Sequence, residues 1–158
     1  MGLNADDYVS LTSFTHHPFY SKFALEIEDN WRWAESYNLP IDELMRTMEY
    51  AIDKGYTIAW GSDVSEKGFT RDGIAVLADV EEIETKGSDQ ARWIGLNSSD
   101  KQRLLNQLIH TADVPEIDPT QEYRQKGFDN YELTDEHGMV IYGIAKNQIG
   151  RKHFLVKN

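Results

Sequence analysis

The chain has 158 residues, 40% of them hydrophobic and 11% aromatic, with a formal net charge of −11, a size that fits one domain and suffices to bury a core. The acidic balance disfavours nucleic acid and anionic membrane as partners, no apolar run approaches the roughly 18–20 residues of a membrane span, and residues 1–20 lack a basic start followed by a hydrophobic block. The absence of cysteine excludes disulfides, thiolate metal sites and a cysteine nucleophile of the chain's own.

In residues 1–20, Asp6-Asp7 precede an alternation of Tyr8, Ser10 and Thr12 against Val9 and Leu11, too weak a pattern to fix a helix or a strand. His16-His17 invite a metal, but neighbours on an extended segment point to opposite faces, and Pro18 enforces extension before it. No third and fourth ligand share a matching spacing, so no metal is expected and the imidazoles are assigned local hydrogen bonds. Phe23 to Ile27 alternates as a strand, Asp29-Asn30 supplies a turn, and Trp31-Arg32-Trp33 opens a second strand toward Tyr37. Trp31 and Trp33 then share a face, which reads as a core wall rather than a stacking platform.

Pro40 to Lys54 is predicted helical, since Ile41, Leu44, Met45, Met48 and Ile52 recur every three or four residues, Asp42 and Glu43 occupy the first turn and Gly55 stops it. Its methionines read as core. Tyr56 to Trp60 forms a strand. The following Gly61 to Gly68 has oxygen-bearing residues at alternate positions, yet Ile74 stands where a calcium loop needs a bidentate Glu, so a surface turn is expected. Short apolar runs at Ile74 to Leu77 and Val80 precede a polar loop or insertion from Glu84 to Gln90. Ser98-Ser99-Asp100 offers caps for a helix through Leu104, Leu105, Leu108 and Ile109, and Thr120 caps a short helix to Lys126, closed by Gly127.

Two runs rich in β-formers, Met139 to Ala145 and His153 to Val156, flank Asn147-Gln148-Ile149-Gly150 and predict a hairpin with a four-residue turn. Paired positions then sum to 297, placing Asn158 opposite Met139. His137 becomes its diagonal neighbour on the same face, at about 7–8 Å between Cβ atoms. An imidazole beside a side-chain amide is the pairing by which a general base is oriented. Hairpins interrupted by helices indicate an α+β fold with a largely antiparallel sheet.

His137-Gly138-Met139-Val140-Ile141-Tyr142-Gly143-Ile144-Ala145 resembles the catalytic-histidine strand of papain-like cysteine peptidases, and Val156-Lys157-Asn158 resembles the start of their Lys-Asn-Ser-Trp-Gly segment. Leu11 to Phe19, Trp60 to Glu66, Thr120 to Gln125 and Phe128 to Asn130 resemble, in order, blocks of the bleomycin hydrolase and aminopeptidase C family. The resemblance implies the β-rich, histidine-bearing half of a papain-like fold with helical additions, a single partial domain over residues 1–158 truncated at both ends. It implies a cysteine aminopeptidase acting on short peptides, with His137 as general base and Asn158 orienting it. It further implies that the nucleophilic cysteine lies in a missing N-terminal half and that the assembly is a homohexamer; no cofactor or metal is expected. A cytoplasmic location is the expectation, any signal peptide lying upstream of Met1. The alternative is a non-catalytic acidic protein-binding module, or a degenerate homologue, using Trp31, Trp33 and Trp60 as an interface.

Overall fold

The computed structural model describes residues 4–28, 30–85, 95–111, 114–134 and 137–158. After a 3-10 turn at Ala5–Asp7, the elements in chain order are β1 (Leu11–Thr12), β2 (Lys22–Ala24), β3 (Glu35–Asn38), α1 (Ile41–Asp53), β4 (Ile58–Ser62), α2 (Val80–Thr85), α3 (Ser98–Ile109), α4 (Gln121–Asp129), β5 (His137–Lys146) and β6 (Lys152–Lys157). Helices set among small sheets make this an α+β arrangement. The chain divides into two compact units, Met1–Ser62 with Thr120–Ile144 and Phe154–Asn158, and Asp63–Pro119 with Ala145–His153.

In the first unit, β2 and β3 pair antiparallel, Phe23 opposite Ser36, as the hairpin expected there requires. β1 joins the far side of β3 in parallel, Leu11 beside Tyr37, so this sheet is mixed rather than antiparallel throughout. Both hairpin strands are shorter than predicted, because Asn30 organises the intervening loop. Its amide nitrogen donates to the Leu25 and Ala34 carbonyls, and its carbonyl oxygen accepts from the Ala34 N–H, local bonds that compete with strand pairing. Asp29 lies outside the described residues. Trp33 takes a left-handed conformation, φ 52°, and Trp31 and Trp33 are 78% and 66% exposed. They are not the core wall that alternation suggested.

Helix α1 forms where the apolar spacing puts it, with Pro40 at the N-cap and Gly55, φ 86°, beyond the last turn. Its stripe is only half-buried: no residue of α1 is fully buried, and Met45 is 42% exposed, which removes Met45 from the expected core. Among the described residues, the buried apolar ones of this unit are Phe14, Phe23, Leu39, Met139 and Ile141. Helix α4 starts as predicted, the Thr120 Oγ1 accepting from the Tyr123 N–H at 3.2 Å, but it runs through Gly127 to Asp129. Gly127 answers a packing demand instead of a stop signal, since a Cβ there would lie 2.4 Å from Leu133 Cδ1.

The second unit is built around Ile83, Leu105, Ile109 and Val114, with Leu104 and Leu108 packed alongside. Asn97, rather than the Ser98-Ser99-Asp100 run, caps α3: its Oδ1 accepts from the Asp100 N–H at 2.9 Å while its Nδ2 donates to the Asp100 carboxylate at 2.9 Å. The cap residue and the third helical residue are thus bonded to each other twice, once through the Asp100 N–H and once between side chains. Helix α2 was not legible as a helix; Asp79 Oδ1 caps it by accepting from the Glu82 N–H at 2.7 Å. The expected loop from Glu84 to Gln90 therefore begins inside a helix, and residues 86–90 lie outside the described ones. Among the described residues no helix is long and apolar enough to cross a membrane.

Gly68 is buried, and a Cβ built on it would sit 1.8 Å from the Val76 carbonyl oxygen, whose own residue donates its N–H to the Gly68 carbonyl. The obstacle is backbone, so it cannot rotate aside. Gly68→Ala is expected to cost about 3 kcal/mol, the upper end of ordinary overpacking, read as a drop in the urea midpoint; a loss below about 1 kcal/mol would show that the turn relaxes freely.

Candidate active site

His137 opens β5, and Asn158 follows the last residue of β6. Their side chains meet: His137 Nε2 lies 2.6 Å from Asn158 Oδ1. Both belong to the first unit, and both are exposed. β5 runs antiparallel to β4 from Ile58 opposite Ile141 to Ser62 opposite His137, in a sheet of order β4-β5-β6.

Why these two residues share a face follows from the alternation along each strand. On β5, Met139 and Ile141 are buried while Val140 and Tyr142 are exposed; on β6, Phe154 and Val156 are half-buried while Leu155 and Lys157 are exposed. Successive residues of a strand point to opposite sides, so the odd positions of β5 share a face with the even positions of β6, and paired numbers sum to an odd value. The expected sum of 297 has this parity near His137 and Asn158. Gly143, however, lies beside Leu155, a Cβ on Gly143 falling 3.1 Å from Leu155 Cδ1 and 3.5 Å from its Cβ. Tyr142 and Gly143 thus both face Leu155's side, two residues against one, which is the arrangement of a β-bulge.

The hairpin's loop, in the second unit, shows the matching difference. The Asn147 N–H donates to the Arg151 carbonyl at 2.9 Å, the Gly150 N–H to the Asn147 carbonyl at 3.0 Å, and Gly150 has φ 85°. This is a tight turn followed by a left-handed glycine, a three-residue loop instead of the four expected. Asn147 Oδ1 holds it by accepting from the Ile149 and Arg151 N–H groups.

The contact fixes the chemistry of the ring. An amide carbonyl oxygen can only accept, so Nε2 of His137 carries the hydrogen and donates it. In the neutral ring Nδ1 then holds the lone pair and is the nitrogen able to take a proton. A base oriented by a third group is what nucleophilic catalysis requires.

A second polar cluster lies in the same unit. His17 Nε2 is 3.1 Å and His16 Nε2 3.5 Å from the two carboxylate oxygens of Glu26, and one ligand atom from each of the three falls within 4.8 Å of the others. The expectation that the two rings point apart is overturned: their centroids are 4.8 Å apart, because the chain bends at residues 15–17 instead of extending. His17 stacks on Phe23 and His16 on Phe128. Hydrogen bonding to His17 holds the Glu26 carboxyl below the usual carboxylate range. A depressed folded-state pKa adds stability above the unfolded carboxylate range, and that stability is lost as pH falls through the lower, folded value.

Two histidines and a carboxylate are a zinc donor set, but the proton placement opposes it. Gln125 Oε1 accepts from the Thr15 N–H at 2.6 Å, and Gln125 Nε2 donates to Asp129 at 2.7 Å, which fixes the amide. Its Nε2 therefore faces His16 Nδ1 as a donor at 3.2 Å. His16 must keep its hydrogen on Nε2, toward Glu26, where a metal would need the lone pair. Zinc in tenfold excess is accordingly expected to leave the melting temperature unchanged; a rise that grows with zinc concentration would show ligation.

No sequence pattern joins Glu26 or Gln125 to His16, since no spacing links them. Ser13, Thr15 and His16 meet Gln121, Arg124 and Gln125 of α4 across more than a hundred positions. No family model matches the sequence, and no curated protein matches it significantly.

Proposed function

We propose that the chain supplies the general base of a cysteine aminopeptidase related to bleomycin hydrolase, the nucleophilic cysteine coming from polypeptide outside these residues. The observation that carries this is the His137 Nε2 contact with Asn158 Oδ1 at 2.6 Å, which leaves Nδ1 as the proton acceptor. His137 Nδ1 takes the thiol proton as the sulfur attacks the peptide carbonyl, then returns it to the leaving amine. Asn158 holds the ring in the plane and tautomer that this requires. Two further features support the reading. The block from Trp60 to Glu66 pairs with the histidine strand through its first three residues, and the block from Leu11 to Phe19 is bonded through Ser13 and Thr15 to the one from Thr120 to Gln125. Short peptides as substrates, a homohexameric assembly and a cytoplasmic setting belong to the same proposal and rest on the family resemblance.

With no cysteine of its own, the purified chain is expected to show no turnover of an aminopeptidase substrate under reducing conditions. Adding an upstream segment with a Gln-x-x-x-x-x-Cys-Trp-like motif restores turnover that thiol alkylation abolishes. Hydrolysis by the chain alone, tracking with the protein through purification, would overturn the mechanism. The exposure of Trp31 and Trp33 favours a second reading, a non-catalytic acidic module that binds a protein through these rings. An upstream sequence without a cysteine motif would select it.

A further inference from the structure

We infer that Ser62 is a positioning residue for His137, acting on the opposite flank of the ring from Asn158; this rests on the reading of His137 as the base. Ser62 is paired with His137 in the last rung of the β4–β5 ladder. Residues directly opposite in an antiparallel pair project from the same face with Cβ atoms about 4.5–5.5 Å apart, a gap that a hydroxyl on one side and an imidazole on the other can bridge. The sheet order β4-β5-β6 therefore sets a hydroxyl, an imidazole and an amide in one row across its open end.

The next rung on that face is Trp60 opposite Met139, an indole and a thioether, so Ser62 is the one hydroxyl that β4 and β5 bring to the ring. The rung between, Gly61 opposite Gly138, carries no side chain, and a Cβ on Gly138 would meet nothing within 4 Å. Asn158 engages Nε2 and sets the tautomer; a second contact on the far flank of the exposed ring narrows its remaining rotation. A hydroxyl can donate to the Nδ1 lone pair of the neutral ring and accept from Nδ1–H of the charged one. Ser62 thus holds the ring before the thiol docks and again once the leaving amine has gone, yielding Nδ1 to each of them in turn.

The test uses the 158-residue chain with isotope-labelled histidine. Ring nitrogen shifts report which nitrogen carries hydrogen, and side-chain couplings report whether His137 keeps one orientation. In the parent chain, hydrogen on Nε2 and a single orientation are expected. Ser62→Ala should lower the ratio of docked to free ring orientations about three- to tenfold, the weight of one neutral hydrogen bond, and Ser62→Thr, which keeps the hydroxyl, should restore it. Asn158→Ala should loosen the ring independently. If Asn158→Ala loosens the ring but Ser62→Ala does not, or if Thr fails to restore what Ala loses, the positioning role of Ser62 is wrong and the dyad stands. If Asn158→Ala changes nothing, the reading of His137 and Asn158 as a pair fails, and the role of Ser62 with it.

Discussion

In an enzyme that joins this chain to its nucleophile, His137→Ala is expected to lower kcat/KM by about 10⁴-fold, the upper range for loss of a general base. Removing Asn158 should be far milder. Asn158→Ala leaves Nδ1 able to accept the proton but frees the ring to turn, and a misplacement of this kind costs about 10²-fold. The two losses should not add, because an orienting group has nothing to orient once the imidazole is gone. Steady-state kinetics of the single and double variants on one peptide substrate decide the matter. A double variant much slower than His137→Ala alone would mean that Asn158 acts on the substrate directly rather than through the ring.

Asn38→Ala should produce the largest loss of stability among simple truncations, about 3–5 kcal/mol, because it strands several backbone groups at once. Asn38 is fully buried at the end of β3. Its Oδ1 accepts from the Phe14 N–H at 2.9 Å, and its Nδ2 donates to the carbonyls of Phe14, His17 and Pro18 at 2.8, 3.0 and 3.2 Å. One amide side chain thus replaces the sheet partner that the 14–18 segment lacks. Alanine supplies neither donor nor acceptor and leaves a cavity. Urea unfolding should show a lower midpoint with little change in slope, together with loss of the His16 and His17 contacts to Glu26. A cost under about 1 kcal/mol would mean that water enters and substitutes for the amide.

What was legible in the sequence follows from the range of the interactions. Helices α1 and α3 were visible because their apolar positions repeat within a few residues. The histidine–asparagine pair was visible because a hairpin is local and its alternation states which side chains share a face. Trp31 and Trp33 misled, since alternation is equally compatible with an exposed loop, and the side chain of Asn30 decides between them. Strand β1 has two residues and exists through pairing with β3, a contact no local pattern announces. The bend that turns His16 and His17 toward one carboxylate depends on Asn38 and Gln125, both remote in sequence. Rules for extended chains could not foresee it.

The bulge at Tyr142-Gly143 has a hereditary consequence. A hairpin loop one residue short would, by itself, rotate Asn158 to the wrong side of the sheet; the extra residue in β5 turns it back. Loop length and bulge are therefore tied together. A descendant that gains one residue in the Asn147–Gly150 loop, or loses one at Gly143, parts the amide from the imidazole although neither residue is substituted, whereas one that does both keeps them together. Single-residue length changes in this hairpin should be lethal to the site one at a time and silent as a pair.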